Sequence, residues 1–282
     1  PVLLPASRTV DENSVGGTLI GLPVRASEPD AGQTLTYEIV PSSNADGLFA
    51  VDASTGQLRV AITSPLLDFE RRPRYTLTVV ARDSGTPTMT AQADVTIDLL
   101  NANEPPEFIG TPSLQVAENS PGGTAVAGAV EVSDPDAGHT VALVFSLSGP
   151  GASLFQLQSA MSPQLSVRAG ASLDFEARRS HSVLLTATDP LGASSTANLT
   201  VNLLDVNEPP SLSAATRSVA ENSVVGTPVG QPIQASDVDA GQTLTFEIVS
   251  QSAGSMFRID GASGQLEVRV ASLDFESVSL IT

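Results

Sequence analysis

The residues of this chain best suited to chemistry are carboxylates, and they recur in a fixed order. Leu-Asp-Phe-Glu stands at 67–70, 173–176 and 273–276, and Asp-Ala-Gly begins at Asp30, Asp136 and Asp239. Glu-Asn-Ser occupies 12–14, 118–120 and 221–223, and Asn-Glu-Pro-Pro occupies 103–106 and 207–210. Successive copies of Glu-Asn-Ser and of Asp-Ala-Gly are 106 and 103 residues apart, a period that marks tandem repeats. About half of the 31 acidic residues fall inside these strings. Carboxylates gathered in one place repel each other and raise each other's pKa unless a cation joins them. Calcium takes six to eight oxygens from carboxylates, amides and backbone carbonyls. In an extended segment residues i and i+2 point the same way, so an Asp-x-Asp or Asp-x-Glu pair can converge on one ion.

Other chemistries fit less well. The net charge of −18 leaves nothing to neutralise phosphates, which excludes nucleic acid and disfavours anionic membranes. Leu-Asp-Phe-Glu offers the raw material of a glycosidase carboxylate pair, but it occurs three times at equivalent places, unlike a catalytic site. His139 and His181 have no repeated partner and read as incidental surface residues, so no enzyme is expected. The asparagine and serine after each repeated glutamate read as turn residues rather than ligands. Asn198-Leu199-Thr200 is a glycosylation sequon of the kind that arises often by chance.

The elements that position these acids read as strands. Residues 74–81 (RYTLTVVA) and 93–99 (ADVTIDL) alternate apolar and polar residues, with counterparts at 182–187 and 197–203. Residues 35–40 (LTYEIV) recur as 244–249 (LTFEIV). These runs are β-branched, short and bounded by Gly, Pro, Asp or Ser, and no helical period persists for a dozen residues. Phe49, Phe155 and Phe257 hold equivalent places and are expected in the cores. Aromatics are only 4% of the chain, with Trp and Cys absent, so the cores rest on Val, Leu, Ile and Ala and no disulfide framework exists. The fold expected is all-β: tandem seven-stranded Greek-key β-sandwiches, immunoglobulin-like, arranged as an elongated rod. Its repeats divide as 1–104, 105–208 and 209–282.

The ordered set of motifs resembles the cadherin superfamily over essentially the whole chain. That family shows x-Glu-x near the start of each repeat, then Asp-x-Asp, Leu-Asp-x-Glu, x-Asp-x and an Asp-x-Asn-Asp-Asn linker. The resemblance implies three calcium ions between successive domains, with neither domain completing the site alone. At the first junction it implies Glu12, Asp68 and Glu70 from the first repeat, then Asn103, Glu104 and main-chain oxygens of Ala102 and Pro105 from the linker. The second repeat would add Asp134, Asp136 and Asp189. At the second junction it implies Glu118, Asp174, Glu176, Asn207, Glu208, Asp237 and Asp239, with the counterpart of Asp189 missing and the third ion weak or absent. Glu28, Asp30 and Asp83 would face an upstream neighbour. Glu104 and Glu208 stand where the family most often has Asp. Asn101 replaces the first linker Asp, which Asp205 retains, and Glu28 replaces the first Asp of its pair.

Function follows as an expectation. Calcium modules outside cells bind at about 10⁻⁴–10⁻³ M, so the array is expected to be stiff at millimolar calcium and flexible after chelation. That suits an extracellular rod, secreted or on a cell surface, serving adhesion or spacing. Its partners would be calcium and other cell-surface proteins or glycans. The alternatives are a carbohydrate-binding module of a secreted polysaccharide-degrading protein, or a subunit of a surface filament or matrix. The chain opens where a preceding linker would finish, and its third repeat lacks its last two strands. The sequence therefore reads as a fragment of a longer repeat array.

Overall fold

The computed structural model describes every residue except 63–66, 253, 272, 278 and 282. Among the described residues, short strands and three 3₁₀ turns make up the regular structure, and no helix is long and apolar enough to cross a membrane. The first sandwich is built on a four-stranded sheet in the order Ala6–Asp11, Thr90–Leu100, Arg74–Asp83, Leu35–Ile39. The facing layer contains Leu19–Ile20, Leu58–Val60 and Phe49–Val51, with Val2–Leu3 paired to Ala26–Ser27. The long hairpin sets Tyr75 opposite Ile97, Leu77 opposite Val95 and Val79 opposite Ala93. All six are buried, so one face of the alternating strands becomes core. Gly56 has φ +73°, and a Cβ there would meet the carbonyl of Val24 at 2.1 Å, so this turn needs glycine.

The second sandwich repeats the plan with Leu114–Ala117, Ser194–Leu204, Ser180–Thr188 and Val144–Ser148 in one sheet. Phe155–Ser159 and Ser162–Val167 form a tight hairpin opposite. Phe49 and Phe155 are buried as expected, and Phe257 is half-buried. His181 corrects the surface assignment: it is buried, with its ring edge-on to Phe155 at 6.1 Å between centroids. Tyr75 stands edge-on to Phe49 in the same way at 5.1 Å. Histidine thus fills an aromatic core position, and burial, followed by the nearby Arg178 charge, holds its pKa below the usual value.

In both sandwiches the first sheet strand runs parallel to the last, Ala6–Asp11 beside Thr90–Leu100 and Leu114–Ala117 beside Ser194–Leu204. This pairing matters for the site. It brings the glutamate just past the first strand against the segment that leaves the last one, where Glu12 N–H donates to the Leu100 carbonyl and Glu118 N–H to that of Leu204.

The third repeat is different. Among the described residues its strands are Ser211–Leu212 paired with Ala235–Ser236 and Phe257–Ile259 paired with Leu266–Val268. Residues 244–249, expected as a strand, form none. Their counterparts Leu35–Ile39 and Val144–Ser148 pair with Arg74–Asp83 and Ser180–Thr188, and among the described residues no strand pairs with 244–249. An edge strand without its neighbour loses its ladder hydrogen bonds, and Val249 is exposed. Only Val229, Val268 and Leu273 form the buried centre of this repeat among the described residues.

Candidate metal centres

Each carboxylate group sits where a strand end, a turn and a linker meet. Glu12 is 3% exposed, and its two carboxylate oxygens accept from backbone N–H groups of different segments: Oε2 from Phe69 at 2.7 Å and Oε1 from Ala102 at 2.9 Å. Glu118 does the same with Phe175 at 2.7 Å and Val206 at 2.9 Å. Each glutamate therefore clamps the Leu-Asp-Phe-Glu turn to the linker of its own repeat. Asp68 and Asp174 accept from the backbone N–H three residues on, Arg71 and Ala177, each at 2.7 Å, which closes the turn. Among the ordered groupings, Glu12, Asp68 and Glu70 present one oxygen each within 4.8 Å of one another.

The asparagine after each of these glutamates has φ near +55°, a left-handed conformation that asparagine tolerates better than most residues. Its role is structural, as expected, and it also steers a candidate ligand. Asn13 Nδ2 donates to Glu104 Oε1 at 2.7 Å and Asn119 Nδ2 to Glu208 Oε1 at 2.6 Å. The linker glutamates are thereby held toward the repeat that precedes them.

The downstream repeat closes on the linker from the other side. Glu104 N–H donates to Asp136 Oδ2 at 2.9 Å, and Glu208 N–H to Asp239 Oδ2 at 2.8 Å. Within each Asp-x-Asp pair, the second N–H donates to Oδ1 of the first: Asp136 to Asp134 at 3.0 Å and Asp239 to Asp237 at 2.9 Å. Asn103 Nδ2 reaches Asp189 Oδ2 at 2.7 Å, while Asp189 Oδ1 accepts from the N–H groups of Leu191, Gly192 and Ala193. Those bonds outweigh burial, which acts to raise the Asp189 pKa, and leave it below the usual carboxylate value.

Glu176, Glu208 and Asp239 come from the upstream repeat, the linker and the downstream repeat, and their oxygens lie within 4.8 Å of one another. Burial, followed by the charges of Glu118, Asp205 and Glu208, raises the pKa of Glu176. At the first boundary, Glu70 is raised by burial and then by Glu12, Glu104 and Asp136, the last from across the boundary. Glu104 is raised by burial and by Glu12, Asp136 and Asp68, partly offset by its bond from Asn13. Asp134 is raised chiefly by burial.

Buried acceptors without donors test the fit to a cation. Asp134 Oδ2, Asp237 Oδ2 and Asp239 Oδ1 are buried and have no hydrogen-bond partner. A carboxylate oxygen can only accept, so burial without a donor is costly unless a cation supplies the positive end. The residues fit a hard divalent ion.

Three features were absent from the ligand set read from sequence. Asp205 joins Glu118 and Glu176 in a group within 4.8 Å, whereas its counterpart Asn101 donates to Glu70 Oε1 at 3.0 Å. Glu221, Asp274 and Glu276 form a third group equivalent to Glu12, Asp68 and Glu70, and their repeated motifs were the available signal. His139, read as a surface residue, groups with Asp134 and Asp189.

Known proteins share sequence and fold with this chain. Residues 6–100 match the family model described as Cadherin domain. Mouse Cadherin-23 is 34% identical over 280 residues, covering 94% of this chain and 8% of the relative. Zebrafish (Danio rerio) Cadherin-related family member 1a is 29% identical over 278 residues, covering 95% of this chain and 32% of the relative. Protein dachsous of Drosophila melanogaster is 32% identical over 265 residues, covering 88% and 7%. This chain therefore spans about a third or less of these relatives. Among solved structures, mouse Cadherin-23 EC22-24 superposes with a TM-score of 0.66 at 26% identity, covering 96% of this chain and 86% of that one. Protocadherin Gamma B2 extracellular cadherin domains 3-6 give 0.67 at 26% identity, covering 97% and 65%.

Proposed function

We infer, for a chain that belongs to the cadherin superfamily, a calcium-dependent extracellular adhesion or spacer role in which ions between repeats set stiffness. The proteins it resembles are adhesion proteins and not enzymes. The observation that carries the calcium reading is the convergence of Glu176, Glu208 and Asp239 from two repeats and their linker within 4.8 Å. Bound calcium supplies positive charge to oxygens that would otherwise repel.

The chain's own residues do the rest. Glu12 and Glu118 tie each linker to its upstream repeat, and Asp136 and Asp239 tie it to the downstream one. In this reading the repeats divide as 1–104, 105–208 and 209–282, and the metal ligands are Glu12, Asp68, Glu70, Asn103, Glu104, Asp134, Asp136, Asp189 and the main-chain oxygen of Ala102 at the first junction. At the second they are Glu118, Asp174, Glu176, Asn207, Glu208, Asp237 and Asp239, joined by Asp205. The partners are other cell-surface proteins, and the location is outside the cell.

A carbohydrate-binding role has less support. Sugar sites stack rings on exposed aromatics, but Tyr37 and Tyr75 are buried, and Phe275 is the exposed aromatic among the described residues. Small-angle scattering at millimolar calcium and after chelation tests the proposed function. The expected result is a longer, stiffer particle with calcium; an unchanged maximum dimension would count against it.

A further inference from the structure

Besides Asp189, the two downstream walls differ at the residue that follows Asp-Ala-Gly. Asp-Ala-Gly is followed by glutamine in the first and third copies, Gln33 and Gln242, and by His139 in the second. The glutamines act as donors, Gln33 Nε2 to Asp30 Oδ2 at 3.4 Å and Gln242 Nε2 to Asp239 Oδ2 at 3.1 Å. His139 Nδ1 lies 3.6 Å from Asp134 Oδ1 and 3.8 Å from Asp136 Oδ2, too far for a hydrogen bond, and has no partner. The Asp134 side chain is fully buried, and its Oδ2 has no partner either. One ligand atom each from His139, Asp134 and Asp189 lies within 4.8 Å of the others.

We propose that His139, Asp134 and Asp189 form a site for a borderline divalent transition ion such as Zn²⁺, present at the first junction and absent from the second. Calcium takes oxygen ligands, so an imidazole nitrogen adds little for it. Zinc binds histidine nitrogen and aspartate oxygen together, and three protein ligands leave a fourth position for water. Imidazole ligation favours zinc, copper and nickel over the hard ions. Asp189 is already oriented by three backbone N–H groups and by Asn103 of the linker. Such outer contacts hold a ligand in place and strengthen metal binding. Asp134 and Asp189 are shared with the calcium reading, on which the proposal rests only in that the two ions would compete.

The test is calorimetric titration with Zn²⁺ alone in calcium-free buffer, comparing the chain with His139→Gln, followed by Ca²⁺ titration of both. Glutamine is the residue at the two equivalent positions, so the variant keeps a side chain the fold already uses. The expected result is a Zn²⁺ site weakened about ten-fold or more in H139Q, with Ca²⁺ affinity unchanged. Equal Zn²⁺ affinities would overturn the proposal. Zinc binding lost in H139Q while neither form bound Ca²⁺ would uphold this site and defeat the calcium function. On the unaltered chain, ¹H–¹⁵N spectra should show the His139 Nδ1 resonance moving on Zn²⁺ addition, and a stationary resonance would also overturn it.

Discussion

The two junctions have matching upstream walls except at Asn101 and Asp205, and they differ more in the downstream ones. Glu12 and Glu118 make matching pairs of backbone hydrogen bonds, and Asn13 and Asn119 hold the linker glutamates alike. Downstream, the first junction is closed by a complete sandwich that delivers Asp189 from the turn beyond Ser180–Thr188. The second meets a repeat in which the described residues form no such sheet, and there Asn207 Oδ1 accepts from Gln242 Nε2 at 2.6 Å. Buried orphan oxygens number one at the first junction, on Asp134, and two at the second, on Asp237 and Asp239. The comparison teaches that a metal pocket of this type depends on strands distant in sequence.

The largest contrast should appear in amide exchange. Residues 244–249 have no ladder partner, so their amides should exchange at least about a hundred-fold faster than those of Val144–Ser148, as expected for a locally open segment. Equal protection would mean that a partner strand is supplied from elsewhere. Next come the shared upstream walls. Glu12→Ala and Glu118→Ala each strand two backbone donors, so each should cost about 2–4 kcal/mol in chelator-treated denaturant unfolding. Clearly unequal costs would break the equivalence of the two walls.

A smaller effect is expected from Asp189→Ala, which makes the first junction resemble the second. Calcium affinity there should fall about ten-fold by titration, with little change at the second junction. The smallest effect concerns the linker acids. Asn101→Asp and Asp205→Asn exchange the remaining upstream difference between junctions, and each should shift calcium affinity about two- to five-fold in opposite directions, in line with exposed charge pairs. Shifts of the same sign would remove Asp205 from the set.

Much of this was legible in the sequence, because repeated carboxylates at a constant period point to a shared ion, and alternation in residues 74–81 and 93–99 points to a long hairpin. The parallel pairing of Ala6–Asp11 with Thr90–Leu100 was not legible, since no turn signal joins strands so far apart. Residues 244–249 misled because their composition matches residues 35–40, while strand formation depends on a partner rather than on composition. His181 misled because it has no repeated partner in the sequence, whereas its register opposite Val201 places it at the Tyr75 position of the core. Asp205 was noted as retaining the linker Asp but was not counted among the ligands, and it joins Glu118 and Glu176 at its own junction.

The central claim is that one set of ions is held jointly by neighbouring repeats, and a double-variant calcium titration tests it most directly. Asp68→Asn alters the upstream wall of the first junction and Asp136→Asn the downstream wall. Shared ions predict that each variant weakens the same sites and that the double variant loses little more than either alone, a strong non-additivity. Fully additive losses, with each variant removing its own separate site, would contradict it.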